Sequence, residues 1–239
     1  MAFATTDKIG DIMAHFPKAG DVFKDHGIDF CCGGNRLVGE AAKEQGVDAD
    51  QLIQEIDALY EKVKKDRDED EDWTKRSMSD LIDHIVNKHH AFLQTTLAPL
   101  GELVTKILRV HGPHHGQQLQ QVHRLYHNLK MELEEHLIKE EASVFPLLVE
   151  YERTGSKELL DKAVAQIHRL EEEHAGYGNL LKELRQATDG FAVPADSCST
   201  YQYTFQKLHE LEQDTFMHVH LENNILFPGI HRVRDNVNA

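Results

Sequence analysis

The segment His136-Leu-Ile-Lys-Glu140-Glu-Ala-Ser-Val-Phe145-Pro146 recurs 82 residues later as His218-Val-His-Leu-Glu222-Asn-Asn-Ile-Leu-Phe227-Pro228, so the chain carries H-x-x-x-E-x-x-x-[VL]-F-P twice. Residues four apart lie one above the other on a helix, and each copy therefore projects an imidazole and a carboxylate from one face. Such groups suit Fe, Mn or Zn. Two copies on facing helices would supply four ligands, including two carboxylates able to bridge a pair of metals. One copy alone reads as an ordinary exposed i,i+4 polar pair. The duplication, ending each time in the same Phe-Pro stop, favours a site.

The apolar stripes around these residues point the same way. Val122, Leu125, Leu129, Leu133, His136, Glu140 and Val144 share one helical face, as do Thr204, Leu208, Leu211, Thr215, His218 and Glu222. Both candidate ligand pairs therefore face inward. A buried carboxylate without a partner costs several kcal/mol, and a cation is one such partner. A third stripe, Ala163, Ile167, Leu170, His174, Tyr177, Leu181 and Leu184, is interrupted by a single histidine. Taken alone, His174 reads as a hydrogen-bonded core residue. In residues 79–98 two rows compete: Ile82, Val86, His90, Leu93 and Leu97, or Ile85, His89, Phe92 and Thr96. Periodicity does not choose between His89 and His90. Four amphipathic helices would thus converge four histidines and two glutamates, a set that suits two metals better than one.

These helices define the organisation of the chain. Residues 1–63 read as a small helical domain with stripes such as Ile9, Ile12, Met13, Phe16 and Leu52, Ile56, Leu59, Val63. Residues 64–76 read as an acidic linker, and 77–236 as an up-down four-helix bundle, with Ser77 or Ser79 as its first N-cap. Breaks are expected at His111–Gly116, Pro146–Ser156 and Asp189–Ser197. The bundle has complete apolar stripes of its own, so a fragment beginning near Trp73 is expected to fold alone.

Composition agrees. Of 239 residues 40% are hydrophobic and only six are proline, and few runs alternate with period two, so the fold should be all-α. A formal charge of −15 with no basic patch argues against nucleic acid or an anionic membrane as partner. No apolar leader or 18-residue apolar stretch is present, and a soluble, cytoplasmic protein is expected. A homodimer stays open.

Cys31 and Cys32 are adjacent in Asp29-Phe-Cys-Cys-Gly-Gly34, and Cys198 stands alone in a break. Three cysteines, two of them vicinal, make no disulfide framework and cannot form a four-cysteine iron-sulfur site. Gly33-Gly34 permits close backbone approach with a helix start beyond, where backbone N–H groups would lower a thiol pKa. On that reading Cys31 or Cys32 is a redox, metal or nitric oxide ligand; the alternative is a pair of small apolar residues in a turn.

The cysteine motif ahead of two H-x-x-x-E-x-x-x-[VL]-F-P motifs resembles the repair-of-iron-centres family over essentially the whole chain. The resemblance implies a hemerythrin-like bundle holding two non-haem irons and acting on damaged iron-sulfur proteins, with nitric oxide or oxygen as small ligands. It selects His90, the last histidine of Ile85-Val-Asn-Lys-His-His90, as the first-helix ligand beside His136, Glu140, His174, His218 and Glu222, with Glu140 and Glu222 bridging. Glu141, Glu173 and His89 are expected next to the ligands. Oxygen-carrying hemerythrins use a further histidine that is missing here, which argues against reversible oxygen carriage. The alternatives are a di-iron nitric oxide reductase and an oxygen, nitric oxide or iron sensor.

Overall fold

The computed structural model describes residues 3–63 and 72–238, and among them every regular element is helical. They divide into two compact units, residues 1–81 with 217–239, and residues 82–216. Each is described by itself.

The first unit opens with α1 (Ile9–His15), α2 (Ala19–Asp25), α3 (Val38–Gln45) and α4 (Ala49–Val63). Ile9, Ile12, Met13, Phe16, Leu52 and Ile56 are buried, as their spacing predicts, whereas Leu59 and Val63 are only half-buried. α3 ends on Gly46 at φ +68°, the left-handed position where glycine avoids a Cβ clash. Asp48 caps α4, its carboxylate accepting the Asp50 and Gln51 N–H groups. Lys8 and Leu37, just ahead of α1 and α3, form an isolated antiparallel bridge, with Ile9 N–H donating to Arg36 C=O, Gly10 N–H to Gly34 C=O and Val38 N–H to Asp7 C=O. This pairing sets the cysteine loop over the start of α1. Of the expected linker only 72–76 is described, a 3-10 turn at Trp73–Lys75 on which Asp72 accepts the Thr74 N–H; 64–71 lies outside the described residues. The unit also holds the end of α9 (Ser199–Leu221), a π turn at Glu222–Leu226 and α10 (Phe227–Asn238).

Between the units in sequence runs α5 (Met78–His84), whose N-cap is Ser77: its Oγ accepts the Asp80 N–H at 3.0 Å. The second unit then contains a π turn at Ile85–His90, α6 (Ala91–Lys139), a π turn at Glu140–Val144, α7 (Phe145–Thr154), α8 (Lys157–Ala187) and most of α9. The stripes on α6, α8 and α9 are buried at every position named above.

Two of the expected breaks differ. His111–Gly116 is not an open loop: the helical hydrogen bonding runs through it and only His115, at φ −123°, leaves the helical region. The chain nonetheless reverses there, because Tyr126 Oη donates to Leu97 C=O and Thr105 Oγ1 meets His123 Nε2 at 3.1 Å. The second difference is at Phe145-Pro146 and Phe227-Pro228, which do not stop their helices. Each follows a π turn in which the Phe N–H reaches back five residues, to Glu140 C=O and Glu222 C=O. Such a turn inserts one residue and shifts the hydrogen-bond register. The proline, lacking an N–H, then sits in the first turn of the next helix, where that group has no intrahelical role. α7 continues to Thr154, and the break shrinks to Gly155-Ser156. The third break matches, spanning 188–198.

Candidate metal centre

Three π turns occur among the described residues, and each holds a predicted ligand: His90 ends the first, Glu140 begins the second and Glu222 begins the third. π turns concentrate at functional sites because the extra residue re-aims side chains at the cost of a strained hydrogen-bond ladder. The first explains why periodicity was silent on residues 89 and 90. The inserted residue moves the core-facing row, so Ile85, His89 and His90 are all buried while Val86 is half-buried.

In the second unit His90, His136, Glu140 and His174 are fully buried and meet. His136 Nε2 lies 3.0 Å from Glu140 Oε1 and 3.0 Å from His174 Nε2, and His90 Nε2 lies 3.3 Å from Glu140 Oε2. The far nitrogens are held from outside. His136 Nδ1 is 2.8 Å from Glu173 Oε2, and His90 Nδ1 is 2.8 Å from Glu141 Oε1. A ring that donates its Nδ1–H to a carboxylate presents its Nε2 lone pair inward, the orientation of a metal-ligating histidine. Lone pairs of imidazoles and carboxylate oxygens then face one another in a dry interior, an arrangement that positive charge at its centre stabilises. The donor set fits iron, manganese or zinc.

Glu173 is drawn down to about 2, mainly by its hydrogen bond to His136 and further by Lys139, whose Nζ lies 2.7 Å from Glu173 Oε1. It therefore stays ionised at neutral pH and keeps His136 oriented. Glu141 is also gripped by Gln94 Nε2 at 3.2 Å. Glu141 and Glu173 thus lie against the candidate ligands His90 and His136. His89 Nδ1 pairs with Asp214 Oδ1 at 2.9 Å and its ring packs against His84.

In the first unit the second motif has the same local form. His218 and Glu222 are fully buried, with His218 Nε2 at 3.3 Å from Glu222 Oε1. The residues that follow bind the cysteine loop. Asn224 Nδ2 donates to Phe30 C=O at 3.1 Å and to Cys31 C=O at 3.4 Å, and Asn223 Nδ2 donates to Cys31 C=O at 3.4 Å. Close approach is what Gly33-Gly34 permits, since a Cβ on Gly34 would sit 2.0 Å from Asn224 Oδ1. At Cys31 the expected thiol activation is not what the loop provides. Asp29 Oδ1 already accepts the N–H groups of Cys31, Cys32 and Gly33, at 3.1, 3.0 and 3.3 Å, and α3 begins only at Val38. The Cys31 thiol is pushed up by its hydrogen bond with Cys32, by burial and by the Asp29 charge.

Residues 80–230 match the hemerythrin HHE cation binding domain, and residues 5–60 match a domain of unknown function, DUF542. The chain is 34% identical to the iron-sulfur cluster repair protein ScdA of Staphylococcus haemolyticus, covering 92% of this chain and 95% of that protein. The chain belongs to the iron-sulfur cluster repair family. A probable iron-sulfur cluster repair protein of Haemophilus influenzae is 30% identical over 96% of this chain and 98% of its own length. The iron-sulfur cluster repair protein YtfE of an Enterobacter species is 31% identical over 92% and 94%.

Three residues of this repair-family chain escaped sequence reasoning. Tyr177, read as packing, places its Oη 3.1 Å from His136 Nε2; its stripe position three residues after His174 was the available signal. Asn223 and Asn224 carried none, because a docking role depends on a segment almost 200 residues away.

Proposed function

We propose that the chain holds two non-haem irons through His90, His136, Glu140, His174, His218 and Glu222, with Glu140 and Glu222 as bridges, and that it restores damaged iron-sulfur clusters in other proteins. The cluster around Glu140 carries this reading: three buried imidazoles and a buried carboxylate, two of the rings fixed from outside by Glu141 and Glu173. The repeated motif and the match of the cation-binding domain over 80–230, which includes all six residues, support it. So do the names of the relatives.

A carboxylate-bridged iron pair would supply one-electron redox change and coordination positions for nitric oxide or oxygen. The protein's own part is orientation and exclusion of water. Glu173 and Glu141 hold the Nδ1 protons of His136 and His90, and Lys139 balances the Glu173 charge. No described helix is long and apolar enough to cross a membrane, which accords with action in the cytoplasm.

Anaerobic loading with ferrous iron tests the proposal. About two irons per chain are expected, with His136→Ala or Glu222→Ala losing most of them, and the loaded protein should reactivate an iron-sulfur enzyme inactivated by nitric oxide. Iron content unmoved by either substitution overturns the site. Nitrous oxide formed without reactivation would favour the reductase alternative.

A further inference from the structure

The cysteine loop holds a feature that the six-ligand centre does not use. Asp29, Cys31 and Cys32 each offer a ligand atom, and the three atoms lie within 4.8 Å of one another. The two sulfurs are 3.7 Å apart, and Cys31 Sγ is 3.2 Å from Asp29 Oδ1. A disulfide requires an S–S distance of about 2.05 Å, so this pair is not poised to oxidise across itself. Two metal–sulfur bonds of about 2.3 Å at a tetrahedral angle span about 3.7 Å, which is the spacing found. A sulfur and a carboxylate oxygen on the same metal would span about 3.6 Å, a few tenths of an ångström beyond the present contact.

We propose that Asp29, Cys31 and Cys32 form a separate site for one divalent cation of the iron or zinc class, bound through two thiolates and a carboxylate. Thiolate ligands favour such borderline or soft cations over Mg or Ca. The loop is fixed independently of any ion: Asn223 and Asn224 hold the Cys31 and Phe30 carbonyls, and the Asp29 carboxylate gathers three backbone N–H groups. Asp29 is thereby oriented within the loop. Binding displaces one proton from each thiol to the buffer, and release takes both back, so the exchange involves no net oxidation. Three protein ligands leave a tetrahedral ion one position short. Cys31 is buried but Cys32 is half-exposed, so that position is reachable from solvent. Closed structural sites have four protein ligands; a three-ligand site suits an ion that is handed on. The inference stands apart from the two-iron reading, since the ligands differ in residue and in element.

Cobalt(II) titration of the full chain, in a Cys198→Ser background, separates the two. Only thiolate ligation gives sulfur-to-cobalt charge-transfer absorption in the near ultraviolet, so imidazole and carboxylate ligands elsewhere stay silent in that readout. The absorption should saturate at one cobalt per chain. It should vanish in the Cys31→Ser/Cys32→Ser variant, and Asp29→Asn, which keeps the backbone acceptor but removes the charge, should weaken binding by about tenfold or more. If the double variant melts, Cys32→Ser alone, at the half-exposed position, decides. Absence of the absorption in the parent, its survival without the cysteines, or unchanged affinity in Asp29→Asn overturns the site. Iron content unmoved in the bundle variants with this absorption intact would refute the two-iron reading alone.

Discussion

His89 and His90 are chain neighbours with different chemistry. His90 Nε2 faces Glu140, whereas His89 Nδ1 is engaged by Asp214. His90→Ala is therefore expected to lose at least one iron on ferrous loading, and His89→Ala to retain both with at most about a tenfold loss of affinity. The reverse ranking in metal analysis would show that the first-helix ligand is misassigned. Cys198 supplies a second residue-scale prediction. Its exposed thiol is lowered to about 7, first by the His111 imidazole, whose Nε2 lies 3.2 Å from Sγ. A lowered thiol pKa means that the reactive thiolate forms at lower pH than usual. Alkylation by iodoacetamide should rise steeply up to about pH 7 and then level off. In His111→Gln the levelling should move to higher pH; an unchanged profile would exclude the imidazole as its cause.

At the scale of elements, the cysteine loop and the third π turn fit through glycine. A methyl group on Gly34 would meet the Asn224 side chain at 2.0 Å, and Asn224 is itself held by Phe30 C=O and by His220 Nδ1 at 3.0 Å. Gly34→Ala is expected to destabilise the fold by roughly 1–3 kcal/mol, the usual cost of overpacking. Gly116, in contrast, has open space where its Cβ would lie and continues a helix, so Gly116→Ala should be neutral or stabilising by up to about 1 kcal/mol. Thermal melts followed by circular dichroism compare the two, and equal melting temperatures would show that the loop yields without strain. The π turns matter at this scale because they reconcile two demands on one helix. The ligand must face the core, and so must the apolar row beyond it; the inserted residue lets both do so.

For the molecule as a whole, the contacts of residues 217–239 revise the expectation that a fragment starting near Trp73 folds by itself. That segment clusters with the N-terminal helices: Asn223 and Asn224 bind the cysteine loop, and buried His220, held neutral down to about pH 3 by desolvation, contacts the Met13 backbone. Removing residues 1–72 strips those partners and leaves buried polar groups to find water. The truncated chain should melt below the full chain and be cut by protease within 217–239 first, each lost hydrogen bond contributing about 1 kcal/mol. An equally stable, equally resistant fragment would restore the original expectation.

What the sequence determined is the all-α class, the inward faces of the long helices and the burial of the candidate ligand residues on them. These follow from helical periodicity, a local property that burial then enforces: every named stripe position on α6, α8 and α9 is buried. The duplicated motif was legible for the same reason, since ligands on one face must be spaced by whole turns. The tertiary structure decided the rest. Whether Phe-Pro ends a helix depends on a hydrogen-bond register that residue types do not encode, and the same inserted residue made His89 and His90 indistinguishable by pattern. The raised Cys31 thiol came from its hydrogen bond with Cys32, its burial and the Asp29 charge beside it, and the partners of Asn224 lie far away in sequence. Long-range pairing of this kind is set by packing, which a single chain of letters records only on the faces that must be buried.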